Sequence, residues 1–286
     1  MNQNFRKSQW KNPEEDISPP SRKERMEARY DGRLLHPFRC VTCGPSRSGK
    51  STLIFQLLTS QDIIDAKFDY IILFLGTEAK ANPLLCSMQE KEYFGDKMEI
   101  VEVKKKYSSV EEYVEKFEPD FERRIHGKEG RPGCVVFDDL MQELAKTDVL
   151  INLFTKYSSH LNISSVHITQ NLFSKGGKRN SDHVTIYRNT SLLIIFRNPL
   201  DNTVLATVAR RVADPATSKE TLHMLQHIVN NHRYVAIFGG QNVPSELKFR
   251  SDLFATEPFK HQKVFQLLEK NNSSRKCSQS WKSSGV

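Results

Sequence analysis

Phe38-Arg-Cys-Val-Thr-Cys43-Gly44-Pro-Ser-Arg-Ser-Gly-Lys-Ser51-Thr52 is the stretch on which the fold turns. Its first six residues are short, largely apolar and rich in small or β-branched side chains, as expected of a strand buried on both faces. Past Thr52, Leu53, Leu57 and Ile64 belong to a helical pattern, so a helix is expected over Thr52–Lys67. Between strand and helix, Gly44–Ser51 satisfies G-x-x-x-x-G-K-[ST] in full. Gly44 and Gly49 let the backbone curl so that N–H groups point at phosphate oxygens, and the helix presents its positive N-terminus to the same anion. Lys50 is expected to reach the β- and γ-phosphates, Ser51 to ligate Mg²⁺, and Thr52 to add a contact at the α-phosphate. The expected ATP contact is therefore the whole run Gly44, Pro45, Ser46, Arg47, Ser48, Gly49, Lys50, Ser51 and Thr52.

A phosphate loop is common to kinases, GTPases, transporters and motors, so a second motif must separate them. Cys134-Val-Val-Phe-Asp138-Asp139-Leu140 is an apolar strand ending in two acids. Asp138 is expected to hold Mg²⁺, and Asp139 to orient and deprotonate an attacking water beside the γ-phosphate. A small-molecule kinase has less use for the second acid, because its nucleophile arrives on the substrate. Asn198-Pro-Leu-Asp201 lacks the lysine of a GTPase N-K-x-D, and no glycine follows the acids at D-x-x-G spacing. Phe238-Gly-Gly-Gln241 follows the acids, whereas a transporter ATPase places its L-S-G-G-Q before them. A further strand, Ser165–Thr169, runs into Gln170-Asn171. An amide there either touches both γ-phosphate and water, acting as a sensor of hydrolysis, or merely caps the strand.

Working outward, short apolar runs recur at Tyr70–Leu75, Ile100–Val103, Leu192–Phe196 and Tyr234–Phe238. Helical patterns lie between several of them, including Gln142–Leu161, and two capping boxes, Ser109-x-x-Glu112 and Thr217-x-x-Glu220, mark further helix starts. Alternating strands and helices imply a mostly parallel α/β sheet with helices on both sides. Residues 1–30 are polar and proline-containing and read as a flexible arm; 31–257 form the ATPase domain; 258–286 form a basic helix and tail. No apolar run approaches the roughly 20 residues that a membrane span requires, and a soluble chain is expected.

The 286 residues carry 42 Lys+Arg against 34 Asp+Glu, a net charge of +8 that suits either a polyanion partner or a generic basic surface. The five cysteines include Cys40-x-x-Cys43, which lies inside the first strand with no second pair, so they read as reduced thiols and not as a zinc site.

From Phe38 to about Phe254 the chain resembles FtsK/HerA-type genome-packaging ATPases of double-stranded DNA viruses. Those of Polinton (Maverick) elements and adintovirus-like viruses are most similar, and those of poxviruses more distant. The resemblance rests on GPSRSGKST (44–52), VVFDDLMQEL (135–144), HITQNLF (167–173) and LLIIFRNPLDNTVLATVARR (192–211). It implies a single RecA-like P-loop NTPase domain of the ASCE type. Such a domain assembles as a homo-oligomeric ring, hexameric or pentameric, and spends ATP on driving double-stranded DNA into a capsid. The capsid or portal proteins would be partners, with the chain at the virion assembly site in host cytoplasm or nucleus, or carried in the virion. The alternative is a nucleotide-gated DNA-binding scaffold with little turnover. By the same resemblance Lys50, Asp139 and Gln170 are catalytic, Ser51 and Asp138 hold the metal, and an arginine acts on a neighbour's γ-phosphate. Arg179 and Arg188 lead for that role, with Arg197 and Arg210 behind, and Leu200 stands where relatives carry a basic N-P-R-D residue. The loop Ser174–Ser181 is either a backbone-directed DNA contact or simply solvated.

Overall fold

Seven of the strands fall on the apolar runs expected from sequence and are joined in one sheet by hydrogen-bonded registers; among the described residues only Val114 and Leu200 leave a large apolar side chain exposed. The computed structural model describes residues 33–60, 62–76, 94–173, 180–240, 243 and 248–254. In chain order the elements are β1 (Arg39–Cys43), α1 (Lys50–Thr59), β2 (Tyr70–Leu75), β3 (Met98–Glu102), α2 (Val103–Lys106), α3 (Val110–His126) and β4 (Gly133–Asp138). There follow α4 (Met141–Leu144), α5 (Val149–Asn152), a π-helical turn (Leu153–Tyr157), α6 (Ser158–His160), β5 (Ile163–Thr169), α7 (Asn180–Arg188) and β6 (Leu192–Phe196). The last elements are α8 (Thr203–Val212), α9 (Ser218–His232), β7 (Tyr234–Phe238) and β8 (Phe249–Arg250).

The sheet order is β3-β2-β4-β5-β1-β6-β7-β8. The first six strands in that order are parallel, and β7 and β8 add antiparallel pairings at one edge. Every residue of β2, β5 and β6 is buried, which is why β2 and β6 run apolar without alternation, while β5 also buries Ser164, Ser165, His167 and Thr169. One face packs on α3 to α9 around Phe74, Phe117, Phe121 and Phe137; the other packs on α1. Strand alternation sends Cys40 to the α1 face and Cys43 to the opposite one, so this C-x-x-C cannot close on itself or on a metal.

The first helix is shorter than its apolar pattern suggested. It ends at Thr59, and Ile64 instead forms a parallel bridge with Leu34, whose N–H donates to the Ile63 carbonyl. Buried Ile63 and Ile64 extend that side of the core as a bridge, where β-branched side chains are at ease. The Gln142–Leu161 pattern likewise breaks into α4, α5, the π turn and α6. Of the two expected capping boxes, Ser109 does cap α3: the Glu112 N–H donates to its hydroxyl at 3.1 Å, while the Glu112 carboxylate reaches back to Ser108. Thr217 precedes α9 without a capping side-chain bond, its hydroxyl turning to the Asp214 carbonyl at 3.3 Å.

Candidate nucleotide site at the strand ends

Parallel register brings the expected residues to one edge. Cys43 pairs with Thr169, and Asp138 pairs with Ile168 on one side and Leu75 on the other. The phosphate loop, the acids and Gln170 therefore all leave the sheet at the same end. Because β5 lies between β1 and β4, Gln170 falls between the loop and the acids.

The loop is shaped by close approach. A Cβ on Gly44 would lie 2.5 Å from the Phe196 Cβ, so only glycine lets the loop sit against the end of β6. Gly49 precedes α1 with φ of 97°. Ser46, Arg47, Gly49 and Thr52 are exposed, whereas Lys50 is buried. The Lys50 ammonium donates to the loop's own Gly44 and Pro45 carbonyls at 2.9 and 2.7 Å. Burial lowers its pKa, and the nearby Asp138 carboxylate opposes that shift.

Ser51 follows directly, and its hydroxyl donates to Asp138 Oδ2 at 2.7 Å. Burial pushes the Asp138 carboxyl above its ordinary range, while the Ser51 bond pulls the other way. A hydroxyl and a carboxylate in contact are a hard-oxygen donor pair, which fits Mg²⁺ completed by waters and substrate phosphates. Among the described residues no group of three or more His, Cys, Asp or Glu is placed to cage a metal, and His160 and His167 belong to none.

Asp139 sits just past β4 with φ of 57°, a left-handed backbone that turns its side chain away from the strand direction. The Gln170 amide donates to Asp139 Oδ1 at 3.3 Å, and the Cys43 thiol donates to the Gln170 carbonyl at 3.6 Å. β1, the Gln170 residue that follows β5, and the second acid are thus joined by side-chain contacts, and Ser51 with Asp138 makes a second link. The sequence reading passed over Gly76, at the end of β2. Its N–H donates to the Asp138 carbonyl at 2.9 Å, and a Cβ there would fall 1.8 Å from the Asp139 carbonyl oxygen. The available signal was a glycine closing the apolar run Tyr70–Leu75.

The arginines are spread out. Arg197 is exposed and follows Phe196, which borders the phosphate loop of its own chain. Arg188 ends α7 at the other end of the sheet, near Ser191, whose N–H donates to the Arg39 carbonyl at the start of β1. Exposed Arg210 bonds the Ala206 carbonyl one turn back. Arg179 and most of the Ser174–Ser181 loop lie outside the described residues. Leu200 is 97% exposed, on a loop held by Asn198 and Asp201 side chains that accept from the Leu200 and Thr203 N–H groups.

Residues 26–193, more than half the chain, match the family described as Poxvirus A32 protein. The chain belongs to this poxvirus A32 protein family. Membership bears out the resemblance to viral packaging ATPases of FtsK/HerA type, and the sheet with its phosphate loop is a RecA-like P-loop NTPase fold. The matched span of this A32-family chain holds both acids and Gln170 but ends within β6, before Arg197-Asn-Pro-Leu-Asp201. Comparison with curated proteins finds no matching relative. Among solved structures, the genome packaging NTPase B204 from Sulfolobus turreted icosahedral virus 2, bound to AMPPCP, is similar at 11% identity and a TM-score of 0.42, over 72% of this chain and 94% of that one. EssC (ATPases 2 and 3) from Geobacillus thermodenitrificans is similar at 15% identity and a TM-score of 0.35, over 57% of this chain and 30% of that one. A KaiC-like protein from Pyrococcus horikoshii is similar at 14% identity and a TM-score of 0.35, over 57% and 76% respectively. Among the described residues no helix is long and apolar enough to cross a membrane.

Proposed function

We propose that this chain is an ATP-hydrolysing motor that moves double-stranded DNA during viral genome packaging. The observation that carries the reading is the contact of Gln170 with Asp139, beside an Asp138–Ser51 pair at the mouth of the phosphate loop. Family membership supports the packaging role.

In this reading Lys50 exchanges its two loop carbonyls for β- and γ-phosphate oxygens, at no cost in hydrogen-bond count. Ser51 and Asp138 would hold Mg²⁺, which supplies charge neutralisation across the β- and γ-phosphates when bound. Asp139 holds the attacking water and accepts its proton. Gln170 shares that carboxylate, so loss of the γ-phosphate changes what its amide can bond to. The change passes into β5, which is hydrogen-bonded on both sides.

The working form is a ring of copies, because an arginine of one subunit can then stabilise charge developing on its neighbour's γ-phosphoryl oxygens, an effect of roughly 10³–10⁵ in rate. Arg179 and Arg188 are the leading candidates for that finger. Lys175, Lys178 and Arg179 supply DNA contact through backbone phosphates, as a motor that must pass over any sequence requires. Capsid or portal proteins at the assembly site are the expected partners.

The test is steady-state ATP turnover by the full chain with and without long double-stranded DNA. Stimulation by DNA is expected. ATP binding without turnover in either condition, in a ring confirmed by electron microscopy, would overturn the motor and leave a nucleotide-gated scaffold.

A further inference from the structure

A second cationic cavity lies at the opposite end of β6 from the phosphate loop. It is a half-open pocket of about 390 Å³ lined by Arg188, Arg211 and Lys248, with Leu193, Phe238 and Gly239 among its walls. Its place follows from register. Phe196 pairs with Tyr234 at the nucleotide end of β6, and Leu192 pairs with Phe238 at the other. The cavity is therefore separate from the site built around Lys50.

Two of its cations are held in place by contacts that leave donors free. The Arg211 guanidinium lies over the Phe173 and Tyr187 rings at 4.6 and 5.0 Å. Stacking uses the guanidinium face and leaves its in-plane N–H groups available for a planar or tetrahedral oxyanion. Lys248 Nζ is 3.5 Å from the Val212 carbonyl and above the Phe249 ring at 6.0 Å, with further donors to spare. Arg188 is exposed at the end of α7.

A plainer account is that Arg188 and Arg211 only complement the negative C-termini of α7 and α8. Magnitudes decide against it. Each helix end contributes roughly −0.5 of a charge, so two ends offset about one of the three cations and leave about +2 among the described lining residues. None of the described lining residues is acidic. That excess matches a phosphate dianion. The volume lies in the range of about 300–1,000 Å³ typical of small-molecule pockets, well beyond one bare phosphate, and the apolar walls suit an attached base or sugar.

We infer that this cavity is a second anion site that takes a phosphate group carried on a nucleotide-sized body, either free or within a nucleic-acid strand. The inference does not rest on the motor reading. Its test uses the full chain carrying Lys50→Ala, which disables the phosphate loop, titrated with adenosine 5′-monophosphate by calorimetry. One site per chain is expected, weakened at least tenfold by adding Arg188→Ala and Lys248→Ala together; thermal melting of both proteins confirms folding. Should that variant misfold, Arg188→Gln alone, at an exposed position, must still weaken binding. Absence of binding to the Lys50→Ala chain, or equal affinity in the cavity variants, would overturn the inference. A parallel titration with a 30-base-pair duplex separates the sources. If the cavity grips DNA, losing its phosphate contact flattens the log-log salt dependence of duplex affinity by about 1. If it takes a free nucleotide, that slope stays unchanged while the monophosphate is lost. Either pattern supports the site.

Discussion

Gly76→Ala is the substitution on which the assignment of Asp139 can be tried hardest. The added methyl would sit 1.8 Å from the Asp139 carbonyl oxygen and 2.7 Å from its carbonyl carbon. Ordinary contact between such atoms is about 3.5 Å, so the Asp139 peptide must retreat by more than about 1.5 Å. Little slack is available: Asp139 already sits at φ of 57°, and Asp138 is tied to the Gly76 N–H at 2.9 Å. Misplacing a catalytic group by about 1 Å costs on the order of 10²-fold, so kcat should fall at least a hundredfold, or about 2.7 kcal/mol in barrier. Nucleotide affinity should hold, because Lys50 and its loop hang from β1, two strands further along the sheet than β4. The assay pairs steady-state ATP turnover with equilibrium binding of a fluorescent ATP analogue. A variant that binds and turns over like the parent would show that Asp139 is not positioned by this contact, or does not act on the water.

Asp139→Asn should keep nucleotide binding and the Gln170 contact while stopping hydrolysis, as read by phosphate release; normal release would remove Asp139 as the base. Burial raises Cys40 to about 12 and Cys43 to about 11, and raises Cys134 as well. Reaction needs the thiolate, so at pH 8 no more than two of the five cysteines should react with Ellman's reagent until denaturant is added, and more than two would contradict the buried β1 and β4. Phe117 is fully buried, with ring contacts to Tyr113 at 4.6 Å and Phe74 at 5.6 Å. Phe117→Ala should therefore cost about 3–5 kcal/mol in urea unfolding, and a loss below about 1 kcal/mol would mean that α3 is not anchored there.

β2 and β6 were legible because they are buried on both faces and run apolar without alternation, whereas β5 buries two serines, a histidine and a threonine and showed only as a short run ahead of Gln170. The loop and its acids were legible because phosphate chemistry restricts residue types at fixed spacing. Helix ends were harder. Ile64 carries a helical pattern, yet Leu34, far away in sequence, recruits it into a bridge. Gly76 and Phe196 were missed for a related reason: each matters through one contact across the sheet, and a single sequence holds no record of which strand lies alongside. Nothing in the sequence places Arg188 beside Arg211 and Lys248, which reach it from α8 and from just before β8.

Phe173 stands three residues after Gln170, and its ring carries the Arg211 guanidinium. A short tether therefore joins the amide at the nucleotide edge to a cation that lines the far cavity. If an anion at Arg211 and a nucleotide at Gln170 each bias this segment, the linkage must run equally in both directions. An anion that shifts the affinity for nucleotide would then have its own affinity shifted by nucleotide, by the same factor. Phe173 is thus the residue through which the proposed cavity and the nucleotide edge would feel one another.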